Sequence, residues 1–484
     1  MVTKTIFEKS VKNRTGFSLA NSKIKTDVKE LIPDKLRRKK QPNLPEVSEL
    51  DALRHYIEIS AKNHFIEKGF YPLGSCTMKY NPQINEMVCT LPGFTHIHPM
   101  QPEASVQGAL EIMYELQKDL ANISGFSQVS LQPVAGAQGE FTGVNIIYNY
   151  HKSKSRDPKK IIMPDSSHGT NPATTTMHGF EVVEIKSTDE GKVDLEALKE
   201  VVDDDVAGFM LTNPNTLGVF ETQVKEIADI IHSVGGLMYM DGANMNAILG
   251  YIRPGDMGFD ITHFNLHKTF STPHGGGGPG NGGVGVTAEL EEFLPSPIIS
   301  KKEGKYYLDY SAENSIGKVH SFFGNFAVMV KAYMYIKMLG EKGLKRVAEN
   351  AVINSNYVMN QIKEYFPVPF HDDIMHEFVA SGKNYREYGI KTLDIAKRLL
   401  DYGVHAPTIY FPLIVKEALM IEPTETEGKE TLDGFIEAMK IISKEAKENP
   451  EELKKAPTKP PIARLDETEA IKNLDIKFDF NQEK

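Results

Sequence analysis

The sequence has little cysteine: two residues in 484, Cys76 and Cys89. Two thiols cannot staple a chain this long, they lack the CxxC spacing of redox or zinc sites, and they suit a reducing cytoplasm. There is no run of the roughly 18 apolar residues that a membrane helix needs. The best candidate, FAVMVKAYMYIKML (326–339), is broken by Lys331 and Lys337. The start, MVTKTIFEKSVKNRTGF, has no continuous apolar stretch, so no secretory signal is expected. A basic surplus is missing too: 65 acidic against 55 basic residues give a net charge of −10, which argues against nucleic acid as a partner. Internal repeats and low-complexity tracts are absent. What is present is an ordinary globular composition, 40% hydrophobic and 25% charged, enough for two or three domains with an ample core.

Residues 1–105 read as an N-terminal arm and an irregular stretch. The basic run KLRRKK (35–40) is either a solvated face or a docking patch for an acidic partner. Turn signals follow in YPLGSCTMKYNP (71–82) and LPGFTHIHPMQP (91–102), and a long irregular stretch of this kind is often functional. From 106 to 345 helical patterns alternate with short apolar strands at KIIMP (160–164), EVVEI (181–185), GFMLT (208–212) and LMYMDG (237–242). That alternation predicts a large α/β domain with a largely parallel sheet. Segment 314–343 reads as one long helix with a glycine stop. From 346 to 455 the pattern changes to a smaller α+β domain, with strands at 376–381, near 408–415 and at 418–423, and helices at 393–403 and 430–446. The tail, 456–484, opens from a polar, proline-rich stretch (448–461) that is expected to run over the surface.

The most informative stretch is HFNLHKTFSTPHGGGGPGNGG (263–283): a lysine just past an apolar strand, followed by a polyglycine turn. A nucleotide-hydrolase phosphate loop is excluded, because the lysine precedes the glycines and no GK[ST] follows them. Alone, Lys268 reads equally as a surface lysine on a flexible hairpin. Its context changes that. Asp241 ends the strand LMYMDG, and in α/β sheets ligands sit beyond the carboxyl ends of strands. A lysine and an acid at neighbouring strand ends suit pyridoxal phosphate, which needs an amine for a Schiff base and a carboxylate for its ring nitrogen. VAGAQGE (134–140) opens a helix directly after a strand, so the amides of Gly136, Ala137 and Gln138 offer a phosphate site. His168 follows another strand and could stack on a flat ring, or be an ordinary cap. Asn213 and Thr216, in TNPNTLG, could bond the cofactor's phenolic oxygen or the substrate, or simply form a turn. His263, His267 and His274 match no metal motif, and no metal is expected.

At these residues the chain resembles the pyridoxal-phosphate glycine decarboxylases, the P-protein family of the glycine cleavage system. The lysine segment NLHKTFSTPHGGGGPG (265–280) carries the resemblance, together with YPLGSCTMKYNP, LQPVAGAQGE, SHGTNPA (167–173), DGANMNA (241–247), MHEFV (375–379) and EPTETE (422–427), in the expected order. The length matches the split form of that family, in which a lysine-bearing subunit pairs with a related glycine dehydrogenase subunit 1. The resemblance implies an aspartate-aminotransferase-like fold (fold type I). It implies Lys268 as the Schiff-base lysine, Asp241 facing the ring nitrogen, His168 stacked on the ring, and Ala243 and His267 nearby. It also implies glycine as substrate and a lipoylated H-protein as acceptor of the aminomethyl group. Arg253 and Arg398 are candidates for the glycine carboxylate. The glycine-rich segment 269–280 is expected either to form a rim for the lipoyl arm or to pack beside the cofactor. A cysteine desulfurase on the same fold would need a cysteine after the lysine, and neither cysteine follows Lys268. A non-catalytic scaffold would not need the lysine, the acid and the phosphate turn together.

Overall fold

The strands form where the sequence is apolar on both alternating positions. Every residue of VAGFMLT and LMYMDG is buried, as expected for parallel strands covered on both faces. The computed structural model describes residues 3–16, 20, 23, 26–274 and 280–480. Seven strands make the main sheet: β1 (Gln128–Ser130), β2 (Lys160–Pro164), β3 (Glu181–Ile185), β4 (Val206–Thr212), β5 (Leu237–Gly242), β6 (Ile261–Asn265) and β7 (Gly282–Val286). Their order is β1-β7-β6-β5-β4-β2-β3. Neighbours from β6 to β3 are parallel, whereas β7 runs antiparallel to both β6 and β1. The register sets Thr212 opposite Asp241, and Asp241 opposite His263. Three polar residues therefore stand abreast near the carboxyl ends of β4, β5 and β6.

The helix Gly136–Ser153 lies close on this sheet because its inner face is glycine. A Cβ at Gly139 would stand 2.8 Å from the Cβ of His263, and one at Gly143 would overlap the Tyr239 ring. A hairpin of β8 (Ile298–Lys302) and β9 (Lys305–Asp309) follows the sheet. The C-terminal part adds an antiparallel sheet of β10 (Phe378–Ser381), β11 (Thr408–Ile409) and β12 (Ala418–Ile421), in the order β10-β12-β11. Helices Thr392–Asp401 and Lys429–Glu448 bury Ile395, Leu399, Leu432, Phe435 and Met439 in the same core as this sheet.

The chain divides into two compact units: Met1–Phe65 with Pro457–Lys484, and Ile66–Ala456. In the first, Ser48 and Asp51 form a capping box at the start of the helix Glu49–Ser60, Phe7 stacks on Phe478, and the basic run 35–40 is mostly exposed. No helix among the described residues is long and apolar enough to cross a membrane.

Three local expectations are corrected. Residues 314–325 are not helical; the helix starts at Phe326, after positive φ angles at Gly317, Phe322 and Gly324. That helix ends at Gly340 (φ 56°, ψ −173°), a glycine stop as expected, and a second helix runs on from there to Ile362. The strand expected near 408–415 shrinks to two residues, Thr408 and Ile409. The polar stretch after 448 is also not wholly superficial, because Pro450–Lys455 forms a short helix with Leu453 buried.

Candidate functional site

Eight of the ten residues singled out from the sequence line one cavity of about 180 Å³: Gly136, Ala137, His168, Thr216, Asp241, Ala243, His267 and Lys268. Gly136 opens its helix without a side-chain cap, so the first-turn amides keep their donors free of an N-cap. A Cβ at Gly136 would overlap the Asn265 amide, so glycine lets the helix start meet the end of β6. The other two residues stand outside the lining. Gln138 turns its side chain away: it accepts from Val134 N–H at 2.8 Å and donates to the Val319 carbonyl at 2.7 Å. Asn213 exchanges both side-chain bonds with the backbone of Glu221, so its amide closes a turn. The Thr216 hydroxyl lines the cavity but donates to the Ser166 carbonyl at 2.5 Å.

Asp241 is 2% exposed and held on both oxygens. Ala243 N–H donates to Oδ1 at 3.0 Å and Asn171 Nδ2 to Oδ2 at 3.2 Å. Burial pushes its carboxyl up, but His263, the Ala243 N–H and the Lys268 ammonium outweigh it, so the pKa lies below its ordinary value. Asp241 is therefore ionised. Glu140, one turn into the glycine-led helix, goes the other way. Burial, reinforced by the charge of Asp241, lifts it to about 7. The Thr170 hydroxyl donates to Glu140 Oε1 at 2.7 Å and lies 2.8 Å from His168 Nδ1. Burial pulls the His168 pKa down, so its ring is neutral at pH 7.

Sequence reasoning missed Glu140, Thr170 and Asn171, although all three lie in quoted motifs. The signal for Glu140 was its spacing of four from Gly136, which puts both on one helical face. Of the three histidines, His263 and His267 line the cavity. The His263 ring meets the Tyr239 hydroxyl at 2.7 Å, His267 meets the Asn281 carbonyl at 3.2 Å, and His274 stands edge-on to His267.

A second polar cluster borders the cavity. Antiparallel pairing of Phe378 with Ile421 sets Glu377 beside Glu422. Glu377 accepts from Ser75 N–H at 2.7 Å and from Asn244 Nδ2 at 3.1 Å, and both donors line the cavity. Glu422 accepts from Thr77 N–H and from the Thr77 hydroxyl at 2.9 and 2.6 Å. Burial raises both carboxyls, Glu422 to about 7; the charge of Glu422 raises Glu377 further. Burial also pushes the Cys76 thiol up, so it is unreactive as a thiolate at neutral pH.

The two arginine candidates are engaged elsewhere. Arg253 pairs with Asp256, and Arg398 with Asp401 and Glu445. Neither lines the cavity. Residues 275–279, five of the twelve in the expected rim segment 269–280, lie outside the described residues.

Comparison with known proteins accords with this geometry. Residues 11–308 match the family model for the glycine cleavage system P-protein, and residues 347–460 that for the glycine dehydrogenase C-terminal domain. The chain is 57% identical over 475 residues to a probable glycine dehydrogenase (decarboxylating) subunit 2 of Caldanaerobacter subterraneus subsp. tengcongensis, covering 98% of each chain. It is 54% identical to the protein of the same name in Bacillus licheniformis, again over 98% of each. Among solved structures it resembles an inhibitor-bound glycine decarboxylase (P-protein), with TM-score 0.72 and 20% identity over 86% of this chain and 94% of that one. It also resembles a NifS-like protein, with TM-score 0.61 and 16% identity over 78% and 99%. The fold is thus the fold type I architecture of pyridoxal-phosphate enzymes. With one family model spanning more than half its length and relatives alike from end to end, the chain belongs to the glycine cleavage system P-protein family.

Proposed function

We propose that this chain is the cofactor-bearing subunit of a glycine-decarboxylating enzyme. It releases CO2 from glycine and passes the remaining aminomethyl group to the lipoyl group of a carrier, H-protein. The observation that carries this reading is the single cavity lined by Lys268, Asp241 and the uncapped start of the helix Gly136–Ser153.

These residues fit pyridoxal 5'-phosphate. Three buried polar atoms of the lining, Glu140 Oε2, Thr212 Oγ1 and Asn244 Oδ1, have no partner among the described residues, as expected where a polar ligand belongs. When bound, the group supplies a carbonyl that condenses with amines and a protonated ring that accepts the electron pair left on the α-carbon as CO2 departs. Lys268 would hold it covalently, until the glycine amine takes the lysine's place. Asp241, ionised and fixed by Asn171 and Ala243, would keep the proton on the ring nitrogen. The amides at 136–138 would bind the phosphate. A neutral His168 would lie on the ring without adding a second positive charge. Glu140, with a pKa about 7 and joined to His168 through Thr170, is suited to store and return a proton near neutrality.

In the overall exchange the C–C bond of glycine breaks, a C–S bond forms, and the lipoyl S–S bond is reduced by the electron pair left on carbon. The dithiolane arm needs an apolar approach. A cavity of about 720 Å³ lined by Phe94, Val106, Ala109, Phe323 and Phe326 also touches Val134 and Gly280. Those two residues border the helix start and the His267 ring, and this cavity is the proposed channel. A related first subunit is the proposed partner.

The test is co-expression with that partner. Borohydride should fix pyridoxal phosphate to Lys268, and the complex should exchange labelled CO2 into glycine with lipoylated carrier. A colourless complex without exchange would remove the reading.

A further inference from the structure

Lys79 is the most deeply buried ammonium near the cavity, with a side chain 1% exposed. Its Nζ, with three N–H donors, lies within hydrogen-bond distance of four oxygens: Glu425 Oε1, Asn246 Oδ1 and the Thr269 carbonyl at 2.8 Å, and the Tyr335 hydroxyl at 3.1 Å. Asn246 Nδ2 closes the cluster on Glu425 Oε2 at 3.1 Å. Burial works against the charge, but Glu425 and Tyr335 outweigh it, so Lys79 stays protonated. A buried ion pair adds little net stability over apolar packing and is costly to break by halves, so its placement calls for a reason other than stability. The Thr269 carbonyl supplies one, because it belongs to the residue after Lys268. The two residues that follow Lys79 grip the same turn: the Ser271 hydroxyl donates to the Tyr80 carbonyl at 2.7 Å, and Asn81 Nδ2 donates to Ser271 Oγ at 3.3 Å. Ser271 itself has a positive φ of 53°, so the turn is held in a backbone region that non-glycine residues rarely adopt. Among the described residues no ion pair or side-chain hydrogen bond holds the Lys268 ammonium, so its place is set by its backbone.

We infer that Lys79 is a positioning residue: through the Thr269 carbonyl and its ion pair with Glu425 it fixes the turn that carries Lys268, and so the placement of the amine in the cavity. The inference rests on the reading that Lys268 carries pyridoxal phosphate.

The experiment uses the complex with the partner subunit and four forms of this chain: unsubstituted, Lys79→Met, the double variant Lys79→Met with Glu425→Gln, and Tyr335→Phe. Each is titrated with pyridoxal phosphate, its bound-cofactor absorbance is followed against pH, and its melting is recorded. Lys79→Met should weaken cofactor binding about ten-fold and move the midpoint of the absorbance titration by about one pH unit. The double variant leaves no unpaired buried carboxylate, so it should regain the melting temperature but neither the affinity nor the midpoint. Tyr335→Phe keeps the Thr269 bond and should leave the midpoint in place. Recovery of all three readouts in the double variant would make the pair a fold element only and overturn the inference; so would a Lys79→Met variant with unaltered midpoint and affinity. Failure of borohydride to trap cofactor on Lys268 in the unsubstituted complex would instead overturn the underlying reading, and the inference with it.

Discussion

A carboxyl oxygen of Glu140 and one of Asp241 lie within 4.8 Å of each other in the same buried wall, and their surroundings drive them apart. Asp241 is held ionised by His263, the Ala243 amide and Lys268, whereas Glu140 is lifted to about 7. Two acids at one site thereby take different protonation states.

The first prediction concerns Glu140 and pH. A carboxyl raised from 4.5 to about 7 contributes stability that is present below its ordinary range and lost as pH rises through about 7. Glu140→Gln removes that loss. In the cofactor-free chain the variant should be more stable than the parent at pH 8, by about 3 kcal/mol, and level with it near pH 4. Denaturant titrations at a series of pH values check this.

Asp241→Asn should retain part of the cofactor but lose most of the decarboxylation, a fall in kcat of about 100-fold or ~3 kcal/mol. Absorbance measures occupancy and CO2 exchange measures turnover. Near-normal exchange would remove the role given to this acid.

Gly136→Ala places a methyl against the Asn265 amide. The helix start must shift, and pyridoxal phosphate should bind about ten-fold more weakly. Equilibrium titration reads the change, and affinity equal to the parent's would show that the helix start does not hold the phosphate.

Thr77→Val removes a hydroxyl donor to the buried Glu422 carboxyl. The expected cost is about 1–3 kcal/mol of unfolding free energy at pH 8, shrinking as acid protonates Glu422. Urea unfolding at pH 6 and pH 8 separates the two.

Ala109→Trp fills the apolar cavity without touching the cofactor wall. The KM for lipoylated carrier should rise roughly ten-fold while the cofactor absorbance is unchanged. An unaltered KM would place the arm elsewhere.

The central strands and the polar residues at their ends were legible in the sequence, because short apolar runs closed by Asp241, or followed by His168 or Lys268, follow from local pattern alone. The segment 314–325 was not legible. Its composition permits a helix, but Gly324 packs against Met329 and Asn281, and the backbone takes positive φ angles at Gly317, Phe322 and Gly324. Glu377 and Glu422 lie 45 positions apart in sequence (422 − 377 = 45), and only the pairing of β10 with β12 brings them together. Asn213 misled for the opposite reason: its turn chemistry was real, but the turn consumes both ends of the amide. Lys79 sat in a recognised motif, yet the four oxygens around it come from segments at Asn246, Thr269, Tyr335 and Glu425 that no local rule joins.

The grip of Glu377 and Glu422 on the amides of Ser75 and Thr77 has a mechanical consequence. A rigid tilt of the small β10–β12 sheet drags that loop with it, and the loop leads within two residues to Lys79 and the turn under Lys268. Sheet, loop and turn are thus linked end to end, from Glu422 through Thr77 and Lys79 to the Thr269 carbonyl.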